Sequence, residues 1–208
     1  MNIPVRRTAT LVLLLLAVLP AFAGNTAGAQ KPIAVQMYTL RNAGPLDQQL
    51  KIVHDAGVRA VETVGTQNAS AVELKQLLDR YSIKAVSSHV QLAELRDNLD
   101  AVVAFNRSIG NSTLVVPYLD QKDRPHDAAG WTALGQELGR IARQVRGKGM
   151  QLAYHNHDFE LADFDGQTGL ELLFAAAGPD LKTELDLAWV ARAGLDPAVM
   201  LGKFRGHV

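Results

Sequence analysis

The sequence predicts a parallel α/β barrel, and three observations carry that prediction. From Ile33 onward six short apolar stretches each close on polar or chargeable residues, and helix-like segments that stop at glycine separate most of them. The polar strand ends are spread over five of the six stretches rather than gathered on two neighbours. Barrels of this kind build their sites at strand C-terminal ends. Gln36, Glu62, His89, His155, His157, Glu184 and Asp186 therefore carry the functional message.

The first stretch, IAVQMY (33–38), is strand one. Leu46, Leu50 and Val53 follow at helical spacing over 45–56, and Gly57 ends that helix before strand two, VRAVET (58–63). Ser70 is placed to cap the next helix, whose Val72, Leu74, Leu77 and Leu78 form an apolar face. Strand three is IKAVSSH (83–89), followed by one long helix from Leu92 to Ile109 that stops at Gly110. TLVVPY (113–118), a helix over 128–145 with Gly147 and Gly149 behind it, and MQLAYHNH (150–157) continue the order. A helix over 167–177 ends at Gly178-Pro179 and leads into LKTELDLAW (181–189). No hairpin signal such as Asn-Gly joins consecutive strands, which selects a parallel sheet. An open dinucleotide-binding sheet would show a glycine-rich turn after its first strand, but here that strand runs into YTLRNAG (38–44).

Composition narrows the partner. A chain of 208 residues with 48% apolar content can bury one good core, and a formal charge of zero gives it no electrostatic pull toward nucleic acid. A small molecule is the expected partner. Cysteine is absent, so a metal would have to sit on histidine, carboxylate or amide oxygen. Arg6-Arg7, an apolar run from Leu11 to Leu19, Pro20 and the small-residue triplets AFA (21–23) and AGA (27–29) follow the order of an export signal. Residues 1–29 are read as that signal, of Sec or twin-arginine type, and 30–208 as the domain. The expected location is periplasmic or secreted, with no stable membrane span once the signal is removed.

His155 and His157 lie two apart on strand five, as do Glu184 and Asp186 on strand six, so each pair projects to one face. Two imidazoles facing two carboxylates make a divalent site, in which His155, His157 and Asp186 are expected as ligands. Glu62 and His89, at the ends of strands two and three, join Glu184 as candidate bases. Gln36 and Tyr38 share a face of strand one and are expected on substrate hydroxyls. Asn156 should point away from the two histidines and orient them. Trp189 is expected to stack on a sugar face or wall the pocket. Glu160 is read in the following loop, near the rim, and His54 and His126 face solvent.

VQMYTLR (35–41), GVRAVE (57–62), VSSH (86–89), YHNHDFE (154–160) and ELDLAWVARAG (184–194) together resemble the sugar phosphate isomerase/epimerase family with the xylose isomerase-like TIM barrel. The resemblance covers about residues 32–208 and implies a (β/α)8 barrel with a divalent metal such as Mn, Mg, Co or Zn. It implies isomerisation, epimerisation or dehydration of a sugar, keto-sugar or polyol through an enediolate. His207 matches the family position that supplies an imidazole ligand from strand seven. On the same resemblance the chain reaches only about six to seven βα units and lacks strand eight, which in relatives often supplies a ligating glutamate, and His155 stands where such barrels commonly place another. A homo-oligomer remains open, as do two other readings. One is a vestigial sugar-binding barrel, and the other is a metal-dependent hydrolase, for which strand one should offer His-x-His or an Asp pair rather than Gln36 and Tyr38.

Overall fold

The computed structural model describes residues 33–208, so the expected export signal lies outside the described residues. The described residues open with β1 (Val35–Gln36), which turns at once into a 3-10 turn over Met37–Leu40. Tyr38 therefore leaves the strand, and its expected alternation with Gln36 does not exist. Then come α1 (Leu46–Asp55), β2 (Ala60–Val64), α2 (Ala71–Arg80) and β3 (Lys84–His89). Ser70 caps α2 as expected, in a capping box closed by Glu73.

The single long helix expected after strand three is two, α3 (Leu92–Asp97) and α4 (Leu99–Ser108). They break at Asn98, whose φ of −135° and ψ of 29° are not helical. β4 (Thr113–Val116), α5 (Ala128–Gly147) and β5 (Gln151–His155) follow. A small antiparallel ribbon, β6 (Asp163–Phe164) with β7 (Gln167–Thr168), comes next and was not expected. Asp165 and Gly166, both at positive φ, make the two-residue turn that an Asp-Gly pair favours. The ribbon shortens the next helix to α6 (Gly169–Ala177), capped by Thr168. β8 (Leu181–Glu184), α7 (Leu187–Arg192) and α8 (Pro197–Lys203) complete the order.

Six strands form one all-parallel sheet in the order β1-β2-β3-β4-β5-β8, the incomplete barrel that the βα rhythm predicts. One face of the sheet belongs to the helices. Val61, Ala85, Leu114, Val116, Leu152, Tyr154 and Leu181 are buried there, in two clusters centred on α1–α2 and on α5–α6. The opposite face carries Gln36, Glu62, His89, His155 and Glu184, since registered partners in parallel strands share a face: Gln36 pairs with Glu62, and His155 with Glu184.

Strand three reaches that face through a β-bulge. The register moves from Val61 opposite Ala85 to Glu62 opposite Ser87, leaving Val86 as the extra residue. Ala85 faces the helices, and without the extra residue Ser87 and His89 would face them too. With it they join Glu62.

Candidate active site

Six side chains from five strands meet at the C-terminal end of the sheet. Glu62 accepts from both sides, with Gln36 Nε2 3.2 Å from Oε1 and Ser87 Oγ 2.6 Å from Oε2. His89 Nε2 lies 2.7 Å from Glu62 Oε1 and 3.2 Å from Glu184 Oε1, while His155 Nδ1 reaches the same Glu184 oxygen at 3.0 Å. Gln36, Glu62, Ser87, His155, Glu184 and Asp186 line a cleft of about 430 Å³.

The electrostatics follow from two carboxylates around one buried imidazole. Burial works to lower the His89 pKa, but Glu184 and Glu62 outweigh it and push the value up to about 9. Burial likewise opposes the charge on Glu184, yet its bonds with His155 and His89 hold the carboxyl well below the usual range. A positive charge is called for at this spot, and His89 or a cation can supply it.

The strand ends are held by a polar staple. Asn156 is fully buried; its Oδ1 accepts the Asp186 N–H at 2.8 Å and its Nδ2 reaches the His157 carbonyl at 3.2 Å. This is an orienting position, tying the exit of β5 to the exit of β8. Asp186 lies past β8 rather than in it and caps α7, with Oδ1 accepting from Ala188 and Trp189 N–H. Its Oδ2 sits 3.8 Å from His155 Nε2.

His157 stands in an aromatic surround. Tyr118 and Trp189 each place a ring centroid 5.0 Å away, and Phe159 stacks nearly parallel at 6.0 Å. Burial, then the charge of His155, pull its pKa down to about 4, so the ring is neutral at pH 7. Glu160 does not reach the rim. It is fully buried under the β5 exit, accepting from Tyr154 Oη and from the His157 N–H, each at 2.9 Å. Burial pushes its pKa up to about 7.

Of the residues singled out in the sequence, the fold brings Gln36, Glu62, His89, His155 and Glu184 into one cluster, with Asp186, Asn156, His157 and Trp189 beside it. Tyr38 is exposed and lines a neighbouring cavity instead. His207 lies apart from the cluster. Its Nδ1 is 3.0 Å from the carbonyl of Leu181, the first residue of β8, whereas Glu184 is the last. The His207 carbonyl accepts the Thr183 N–H, so this segment begins to pair alongside β8. His54 is not simply solvent-facing: its Nδ1 meets the Tyr81 carbonyl at 2.8 Å. Ser87 was missed, because only the bulge at Val86 turns it toward Glu62.

The donor set fits a divalent cation. One ligand atom each from His89, His155 and Glu184 lies within 4.8 Å of the others, and imidazole with carboxylate suits Zn, Mn, Fe or Co. Asp186 Oδ2, with Oδ1 already committed to the helix cap, flanks them.

No protein-family model matches the chain, and no curated protein matches it. Solved structures do. A sugar phosphate isomerase/epimerase from Parabacteroides distasonis ATCC 8503 superposes with a TM-score of 0.74 at 20% identity, over 91% of this chain and 77% of that one. A D-tagatose 3-epimerase-like protein gives 0.61 at 15% identity, over 85% and 72%. The IOLI protein, described with a bound zinc atom, gives 0.62 at 11% identity, over 80% and 66%. An AP endonuclease of family 2 from Brucella melitensis gives 0.67 at 14%, over 85% and 77%. The fold is thus that of the xylose isomerase-like TIM barrels.

Proposed function

We propose that the chain is a divalent-metal-dependent isomerase or epimerase acting on a sugar, keto-sugar or polyol by proton transfer at the carbon next to a carbonyl. One observation carries this reading: three ligand-capable atoms of His89, His155 and Glu184 converge beside a carboxylate, Glu62, whose two oxygens are fixed by Gln36 and Ser87. The zinc described for the IOLI protein supports a cation on this fold.

His89, His155 and Glu184 would hold the cation, with Asp186 beside them. When bound there, it would polarise the substrate's carbonyl and neighbouring hydroxyl and stabilise the negative charge that follows proton loss. Glu62 is the base in this reading. It takes the proton from carbon, the electron pair moves into the enediolate, and the returning proton decides the product. Return at the adjacent carbon isomerises, delivery of a proton to the opposite face by an acid across the ring from Glu62 epimerises, and loss of a neighbouring hydroxyl as water dehydrates. Gln36 and Ser87 fix the carboxylate plane. Trp189 and Tyr118 pack their rings against His157 on one side of the site. On the strength of residues 1–29 we place this chemistry outside the cytoplasm.

Metal analysis tests the reading. The purified protein should hold one divalent ion per chain, lose it to a chelator and regain it from Mn or Zn; His155→Ala should hold none. Full metal content in His155→Ala would remove the cluster from consideration. Hydrolysis of a phosphodiester without any proton exchange on keto-sugars would favour the hydrolase reading instead.

A further inference from the structure

A second, larger cavity of about 950 Å³ opens above the ends of β1, β2 and β3. His89 lines it and also bonds Glu62 and Glu184, two residues that line the cleft, so one imidazole links the two linings.

The lining has a definite chemistry. Tyr38 is 53% exposed, and the Arg41 guanidinium sits 4.1 Å from its ring centroid while donating to the Tyr38 carbonyl at 2.8 Å. One ring face is thereby taken and the ring's orientation held, leaving the other as a platform. Gln67, Asn68, Gln76 and Gln91 contribute neutral amides. Gln67 Nε2 is buried without a hydrogen-bond partner among the described residues, a donor that a hydroxyl oxygen would satisfy. Gln67 and Asn68 both stand at φ 55°, an uncommon pair of left-handed residues that sets this loop against the cavity.

Charge argues against a phosphate here. Arg41 and Arg80 are balanced by Glu73 and Glu94, and Arg80 is already paired with Asp47 at 2.8 Å. No cluster of uncommitted cations stands among the lining residues.

We infer that this cavity is a subsite for a second, uncharged sugar ring, so that the substrate is a disaccharide or other glycoside rather than a free or phosphorylated monosaccharide. The inference rests on the reading of the adjoining cleft as a sugar-processing centre. Tyr38 stacks on the second ring, and the loop amides of Gln67 and Asn68 meet its hydroxyls, Gln67 turning its unpartnered amide nitrogen toward the ring on binding.

Calorimetric titration of the metal-loaded protein with glucose, maltose, cellobiose and glucose 6-phosphate tests it. At least one disaccharide should bind about tenfold tighter than glucose, a gain of the size that stacking provides. Tyr38→Ala and Gln67→Ala should each bring that ratio toward one, while Tyr38→Phe, which keeps the ring, retains it. Glucose bound as tightly as both disaccharides would overturn the second-ring subsite and leave the metal reading standing. So would a preference for glucose 6-phosphate, or a ratio that none of the variants changes. Failure to bind any of the four sugars would overturn the subsite, while the metal reading stands or falls on the metal content of the protein and of His155→Ala.

Discussion

Replacing Gly139 by alanine should destabilise the protein, although alanine is the better helix former. Gly139 lies in the middle of α5, where a Cβ would stand 2.2 Å from the carbonyl oxygen of Ala177 and 2.9 Å from its carbonyl carbon, on α6. Ordinary heavy-atom contact is on the order of 3.5 Å, so α6 has to retreat by about 1 Å or the backbone must distort. Alanine returns roughly 0.5–1 kcal/mol of helix propensity, while overpacking against a rigid backbone costs about 1–3 kcal/mol. The net expectation is a loss of up to about 2.5 kcal/mol, which for a chain of this size lowers Tm by up to about 10 °C. Gly135 repeats the geometry one turn earlier, its Cβ falling 2.2 Å from the Leu173 carbonyl oxygen. Gly147, at the end of the same helix, has nothing within 4 Å and serves as the control, because alanine there should stabilise slightly or do nothing. Thermal and urea unfolding of the three variants decides it. A Gly139→Ala protein as stable as the Gly147→Ala protein would show that α5 and α6 do not approach this closely. Because α6 runs through Gly178 into β8, the same displacement should also weaken metal retention at Glu184.

Further outcomes follow from the site and from a control outside it. Asp186→Asn keeps a capping oxygen for α7 but removes the charge beside His155, so metal retention should fall at least tenfold with little change in Tm; His54→Ala should keep its metal and lose only about 1 kcal/mol of stability with the Tyr81 bond. Glu62→Gln should keep full metal content and lose about 10²–10⁴ in turnover, the span expected for removal of a general base, and loss of metal instead would make Glu62 a ligand. Glu160, with a folded-state pKa of about 7 against an ordinary 4.5, holds its proton more tightly when folded. Its contribution is therefore complete below about pH 4.5 and lost as pH rises through 7. Glu160→Gln should flatten the fall in urea midpoint between pH 5 and pH 8, and an unchanged slope would refute the shift.

Much of this site was legible because barrel logic needs only periodicity and strand ends. Glu62, His89, His155 and Glu184 all close apolar runs, and they do converge. What the sequence hid depended on single residues that change parity or direction. Val86 bulges and turns Ser87 and His89 to the face of Glu62, whereas strict alternation from Ala85 would have sent them to the helices. The 3-10 turn at Met37 takes Tyr38 off strand one and into the second cavity. Asp186 reads as a strand residue at spacing two from Glu184, but β8 ends at Glu184 and the aspartate becomes a helix cap. Glu160 looked like a rim residue because loops are usually exposed; Tyr154 and the His157 N–H draw it inside. The Asp165-Gly166 turn carried a local signal that was readable and went unread.

The proposed chemistry is proton transfer at carbon by Glu62 beside a cation held by His89, His155 and Glu184. Deuterium incorporation tests it most directly, since proton removal precedes isomerisation, epimerisation and dehydration alike. The metal-loaded protein, given a panel of keto-sugars and their glycosides in deuterated water, should place deuterium at the carbon next to the carbonyl even where net conversion is small. That exchange should stop with a chelator, return with Mn or Zn, and be absent in Glu62→Gln. Sugar binding that raises Tm with no exchange on any member of the panel would contradict the account and leave a binding barrel in its place.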